Sequence, residues 1–67
     1  MKLDMLNNAI EASGLKKKAI AEFMGITPHS LKLKLSGERE FRLSEVDRLS
    51  QVLYLSVGDI MAIFFDG

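Results

Sequence analysis

Residues 17–37 read KKAIAEFMGITPHSLKLKLSG, and their spacing decides how the chain folds. Ile20, Ala21 and Met24 recur at helical spacing, and Gly25 follows four residues after Ala21. A glycine there can take positive φ without steric cost, so it ends one short helix, predicted over about residues 17–24. Ile26 plugs the turn. Thr27 is a good N-cap and Pro28 suits the first position of a second helix, where a missing N–H costs nothing. That helix runs to about Leu35 or Ser36 and stops at Gly37. The small Ala21 lets the two helices cross closely, because a larger side chain there would push them apart.

Working outward, Leu3, Leu6 and Ile10 mark an earlier helix, with Ala9 on the same side. Gly14 offers it a left-handed stop, and Leu15 is the usual apolar follower. In the second helix Ile20, Phe23 and Met24 are expected inward. Residues 37–43 form a loop anchored in the core by Phe41. Ser44-Glu45-Val46-Asp47 reads as a cap with an acidic first turn, and Val46, Leu49, Val52 and Leu53 give the next helix its buried stripe. Ser56-Val57-Gly58-Asp59 repeats that start for a short fifth helix holding Ile60 and Ile63. No strand shows sustained alternation. The expectation is an all-α domain of five short helices over residues 1–67, without repeats or linkers.

The chain of 67 residues allows one small core. With no cysteine and one histidine, disulfides and a Cys/His zinc site are both excluded, and no cofactor or metal is expected. The longest apolar run, residues 60–65, falls far short of the ~20 residues that span a bilayer. The start MKLDMLNNAI lacks the apolar stretch of a signal peptide. A soluble, cytoplasmic protein is expected. Enzymatic chemistry has no support: His29 stands beside Lys and Ser, Ser30 lacks a glycine elbow, and no phosphate-binding glycine loop appears.

Formal net charge is zero, yet its distribution is uneven. Residues 16–42 carry seven Lys/Arg against three Glu, while residues 43–67 carry one Arg against four acids. The positive charge therefore gathers around the paired helices. A helix-turn-helix that binds double-stranded DNA follows as the leading reading: its first helix braces on the backbone and its second lies in the major groove. At about 100° per residue, Leu31, Lys34 and Leu35 share one side of the second helix, identified as the core side by its leucines. Lys34 is expected to snorkel its ammonium outward. His29, Leu33 and Ser36 lie opposite, with Lys32 alongside. An outward leucine suits contact with a thymine methyl, and His29 and Lys32 suit donation to guanine or phosphate. Thr27 and Ser30 are placed for phosphate oxygens at the helix N-terminus.

The carrying residues Leu15, Ile20, Ala21, Phe23, Gly25, Ile26-Thr27, Leu31 and Gly37, then Leu43-Ser44, Leu49, Leu53, Ser56 and Asp59-Ile60, resemble the phage Cro and repressor (XRE-like) helix-turn-helix family. The likeness covers roughly residues 3–63 and is strongest to small Cro-like or repression-modulating regulators of temperate phages of Gram-positive bacteria. It implies a lambda-repressor-like fold and a homodimer on a palindromic operator. It implies base contacts at Pro28, His29 and Leu33, with Lys32 nearby. Backbone contacts are expected from Lys16, Lys17, Lys18, Thr27, Ser30, Ser36 and Arg39. The family usually has polar side chains at positions 28 and 33, and Thr, Ser or Gln where Lys16, Lys17 and Lys18 stand. Dimerisation is expected around the fifth helix and tail, through Ile60, Ile63, Phe64 and Phe65. Adjacent phenylalanines diverge by ~100° on a helix, so one of Phe64 and Phe65 packs inward and the other faces a partner. The rival reading is a helix-turn-helix module that modulates another repressor by direct contact, with little DNA binding of its own.

Overall fold

A computed structural model describes residues 1–65; Asp66 and Gly67, included in the expected C-terminal tail, lie outside the described residues. Five helices follow in order: α1 Leu3–Ser13, α2 Lys17–Met24, α3 Pro28–Leu35, α4 Leu43–Val52 and α5 Val57–Ile60. The last continues into a π-helical turn, Met61–Phe65. There is no strand among the described residues.

The helix boundaries come from local chemistry. Gly14 and Gly25 both take the left-handed conformation that ends α1 and α2. Thr27 caps α3 by accepting the Ser30 N–H at 3.0 Å, and Pro28 takes the first helical position. The fourth helix starts earlier than expected. Its N-cap is Arg42, not Ser44, and Glu45 in its first turn accepts the Arg42 N–H at 2.9 Å. Glu45 reaches back to the chain entering the helix, which satisfies a backbone donor that Ser44 cannot reach.

Leu6, Ile20, Leu31 and Leu49 are fully buried, one from each of the first four helices. Ile10, Met24, Leu35 and Val46 fill in around them. Ala21 is completely enclosed, and α2 packs on both α3 and α4. A side chain no larger than a methyl permits that double approach. The tail closes the bottom of the core: Ile63 and Phe64 are buried, and the Lys2 N–H donates to the Ile63 carbonyl at 2.7 Å. Phe41 meets Phe64 edge to face, with centroids 5.9 Å apart, so the expected loop anchor does reach the core, half-buried.

Two placements differ from expectation. Phe23 was expected inward but stands 44% exposed. Ile20, Ala21 and Met24 already define the inward arc of α2, and position 23 lies roughly 100° from its middle. Lys34 does not snorkel outward: it is buried beside Glu45, with its ammonium 2.9 Å from Glu45 Oε1. On the core side of α3 that carboxylate and the Glu40 carbonyl, at 3.1 Å, take the place of water around the ammonium. No helix among the described residues is long and apolar enough to cross a membrane.

Candidate nucleic-acid interface

The exposed side of α3 carries Pro28, His29, Lys32 and Ser36, with Ser30 and Leu33 half-buried between them. Two chemical edges result. His29 and Leu33, four residues apart, follow one edge, and Pro28, Lys32 and Ser36 follow the other. The second edge borders an open groove of about 430 Å³ that is also lined by Lys17, Leu35 and Asn7. Lys17 comes from the first turn of α2, so the fold brings a lysine from each helix of the pair to the wall of one groove. Lys16, Lys17 and Lys18 are all exposed, and Lys16 is the N-cap of α2 without making a side-chain cap bond. Three lysines at a helix N-terminus oppose the helix dipole, so this charge does nothing for α2 itself.

Two expected phosphate contacts have prior engagements. The Ser36 hydroxyl lies 3.0 Å from the Leu33 carbonyl and 2.9 Å from Glu38 Oε2. Its one proton is therefore directed at acceptors within the chain in the free protein. Thr27 accepts the Ser30 N–H, which leaves its own hydroxyl proton for an outside acceptor. Arg39 is exposed in the loop after α3, where its N–H leans on the Leu33 carbonyl at 3.3 Å.

The four residues expected at a dimer contact do not share a surface. Ile63 is 3% exposed and Phe64 9%, both inside the protomer, and Ile60 is half-buried. Only Phe65 faces outward, at 53%. Of the adjacent phenylalanines, Phe64 is the inward one, because Phe41 and the chain's first residues close over it. Met61 and Val57, four and eight residues before Phe65, are exposed as well.

Of two residues that matter around the site, Asn7 escaped sequence reasoning and Lys34 was expected to turn the other way. Asn7 donates to the Leu3 carbonyl at 2.8 Å and reaches the Leu35 carbonyl at 3.5 Å, which ties α1 to the end of α3 beside the groove. Nothing in the pattern of α1 marks it. Lys34 is the other. Its ammonium also donates to the Glu40 carbonyl at 3.1 Å and sits 6.0 Å from the Phe41 ring centre. Burial raises the Glu45 pKa, but the Arg42 N–H, the Lys34 hydrogen bond and the charges of both residues outweigh it, and the net shift is downward. A charged residue between Leu31 and Leu35 was the available signal.

The model of the Cro/C1-type helix-turn-helix DNA-binding domain family matches residues 5–66, nearly the whole chain. The chain belongs to this family. Double-stranded DNA is the partner such a domain implies. No curated protein and no solved structure matches the chain. Among the described residues there is no group of three or more His, Cys, Asp or Glu able to hold a metal ion.

Proposed function

We propose that this Cro/C1-type domain is a Cro-like repressor of phage origin in Gram-positive bacteria, binding a palindromic operator as a homodimer. In this reading α3 enters the major groove, with His29 and Lys32 donating to base edges and Leu33 and Pro28 making apolar contacts. Lys16, Lys17, Lys18, Thr27, Ser30 and Arg39 hold the phosphate backbone on either side. The observation that carries it is the shared groove: Lys17 of α2 and Lys32 of α3 converge there on an exposed face of a helix-turn-helix. Residues 16–42 supply that face with its positive field inside a neutral chain.

Dimerisation falls to the exposed stripe Val57, Met61 and Phe65, with Ile63 and Phe64 left in the core. The same stripe, with the almost fully exposed Tyr54 close by in sequence, favours a second reading, in which the domain docks on another repressor.

The test is a mobility-shift series on DNA flanking the gene, at several salt concentrations. The unaltered protein should bind specifically, and Lys32→Ala should weaken it about tenfold, on the order of 1–3 kcal/mol of lost contact. Phe65→Ala should lower affinity by uncoupling the subunits. No binding by the unaltered protein at low salt, together with co-purification of a repressor, would hand the case to the docking reading.

A further inference from the structure

Lys34 and Lys32 stand two residues apart on α3 and meet opposite fates. Lys32 faces solvent, whereas Lys34 is 7% exposed and spends its charge inside the protein. Its partners share a location. The Glu40 carbonyl and Phe41 belong to the loop of residues 36–42, and Glu45 holds the Arg42 N–H at the end of that loop. The start of the loop is pinned separately, where the Glu38 N–H donates to the Leu33 carbonyl at 2.9 Å. Both ends of the segment that carries Arg39 are thus tied down. At the far end Lys34 holds the Glu40 carbonyl and pairs with the carboxylate that holds the Arg42 N–H.

We propose that Lys34 is a positioning residue: with Glu45 it clasps the loop after α3 from inside and so presents Arg39 to the DNA backbone. The inference rests on the DNA-binding reading above for the role of Arg39, and on geometry for the clasp. An ordinary core residue at position 34 would fill the same space. It could not hold the Glu40 carbonyl, and Glu45 would be left buried without its counter-charge. The ion pair also explains how a lysine can add to the sequence's positive charge while adding little to the field at the groove.

The clasp is tested with Lys34→Met and with the double variant Lys34→Met/Glu45→Gln. The double variant removes both charges and keeps an acceptor for the Arg42 N–H, so it is expected to fold even where the single variant does not. Hydrogen exchange on the free protein should show the Arg42 amide exchanging at least tenfold faster, with the separately pinned Glu38 amide and the interior amides of α2 and α3 unchanged. On DNA, the folded variant should bind several-fold more weakly, and its salt dependence should drop by about the one phosphate that Arg39 contributes. Adding Arg39→Ala should then cost almost nothing more, although Arg39→Ala alone weakens the unaltered protein. Unchanged loop exchange overturns the clasp, and so do additive losses in the double and triple variants. Absence of DNA binding by the unaltered protein counts against the functional reading instead, and loop exchange then decides for or against the clasp.

Discussion

The turn after α2 and the turn after α4 are built from the same parts. In the first, Gly25 takes φ 76°, and the Ile26 N–H returns to the Ala21 carbonyl at 3.0 Å. Thr27 then caps α3 through the Ser30 N–H. In the second, Tyr54 takes φ 55°, the Leu55 N–H returns to the Ser50 carbonyl at 3.0 Å, and Ser56 caps α5 through the Asp59 N–H. A small buried residue, Ala21 or Ser50, stands four positions before each left-handed residue. One backbone device thus serves twice, and only one copy leads into a basic helix. The helix α3 has 8 residues with Lys32 and Lys34 in its last turn, whereas α5 has 4 and carries Asp59 in its first turn. The lesson is that turn geometry makes two helices cross; the side chains of the second helix decide whether nucleic acid is met.

The two turns also differ in what they tolerate, and the sharpest break is at the small residue. Ala21→Leu should cost about 3 kcal/mol, because Ala21 is fully enclosed on a helix packed against both α3 and α4, and overpacking there forces the helices apart. Ser50→Ala should cost about 1 kcal/mol at most, the worth of its hydrogen bond to the Val46 carbonyl at 2.6 Å. Urea midpoints measure both, and equal effects would show that the first turn is no tighter than the second.

Exchanging the left-handed residues should move stability in opposite directions. No atom lies within 4 Å of a Cβ built on Gly25, so Gly25→Ala meets only backbone strain and should lose about 1 kcal/mol. Tyr54→Gly removes the same kind of strain at a side chain 93% exposed. After the added freedom of the unfolded chain it should gain about 0.5 kcal/mol. Loss of stability on Tyr54→Gly would mean that the ring holds the tail, which its exposure argues against.

The smallest effect concerns the end of the loop between the two turns. The folded-state pKa of Glu45 lies below its ordinary 4.5, so the carboxylate contributes stability above that value and loses it as pH falls through the lowered one. Glu45→Gln should therefore flatten the acid side of the stability profile below about pH 4.5 relative to the unaltered protein. Parallel acid limbs for the two proteins would place the acid sensitivity elsewhere.

Much of the architecture was legible because its signals are local. Gly14, Gly25, Thr27-Pro28 and Ser56 mark helix ends by backbone chemistry that does not depend on the rest of the chain. The α3 face was legible for the same reason, since one helical period sorts Leu31 and Leu35 from His29 and Leu33. Phe23 was misplaced because its distance from the inward arc of α2 is clear only once α3 and α4 choose their sides. The start of α4 was misread because Ser44 looks like a cap, while the donor that needed satisfying was the Arg42 N–H.

By itself the sequence determined where helices stop, that Ala21 permits a close crossing, and that positive charge surrounds residues 16–42. Those are matters of local conformation, volume and composition. Tertiary structure alone decided that Lys34 turns inward to Glu45, that Phe64 is buried and Phe65 exposed, and that Tyr54 takes the left-handed place a glycine usually fills. Each depends on a partner remote in the fold or on a turn closed by its neighbours, and burial makes a charge choose the partner that period and composition cannot name.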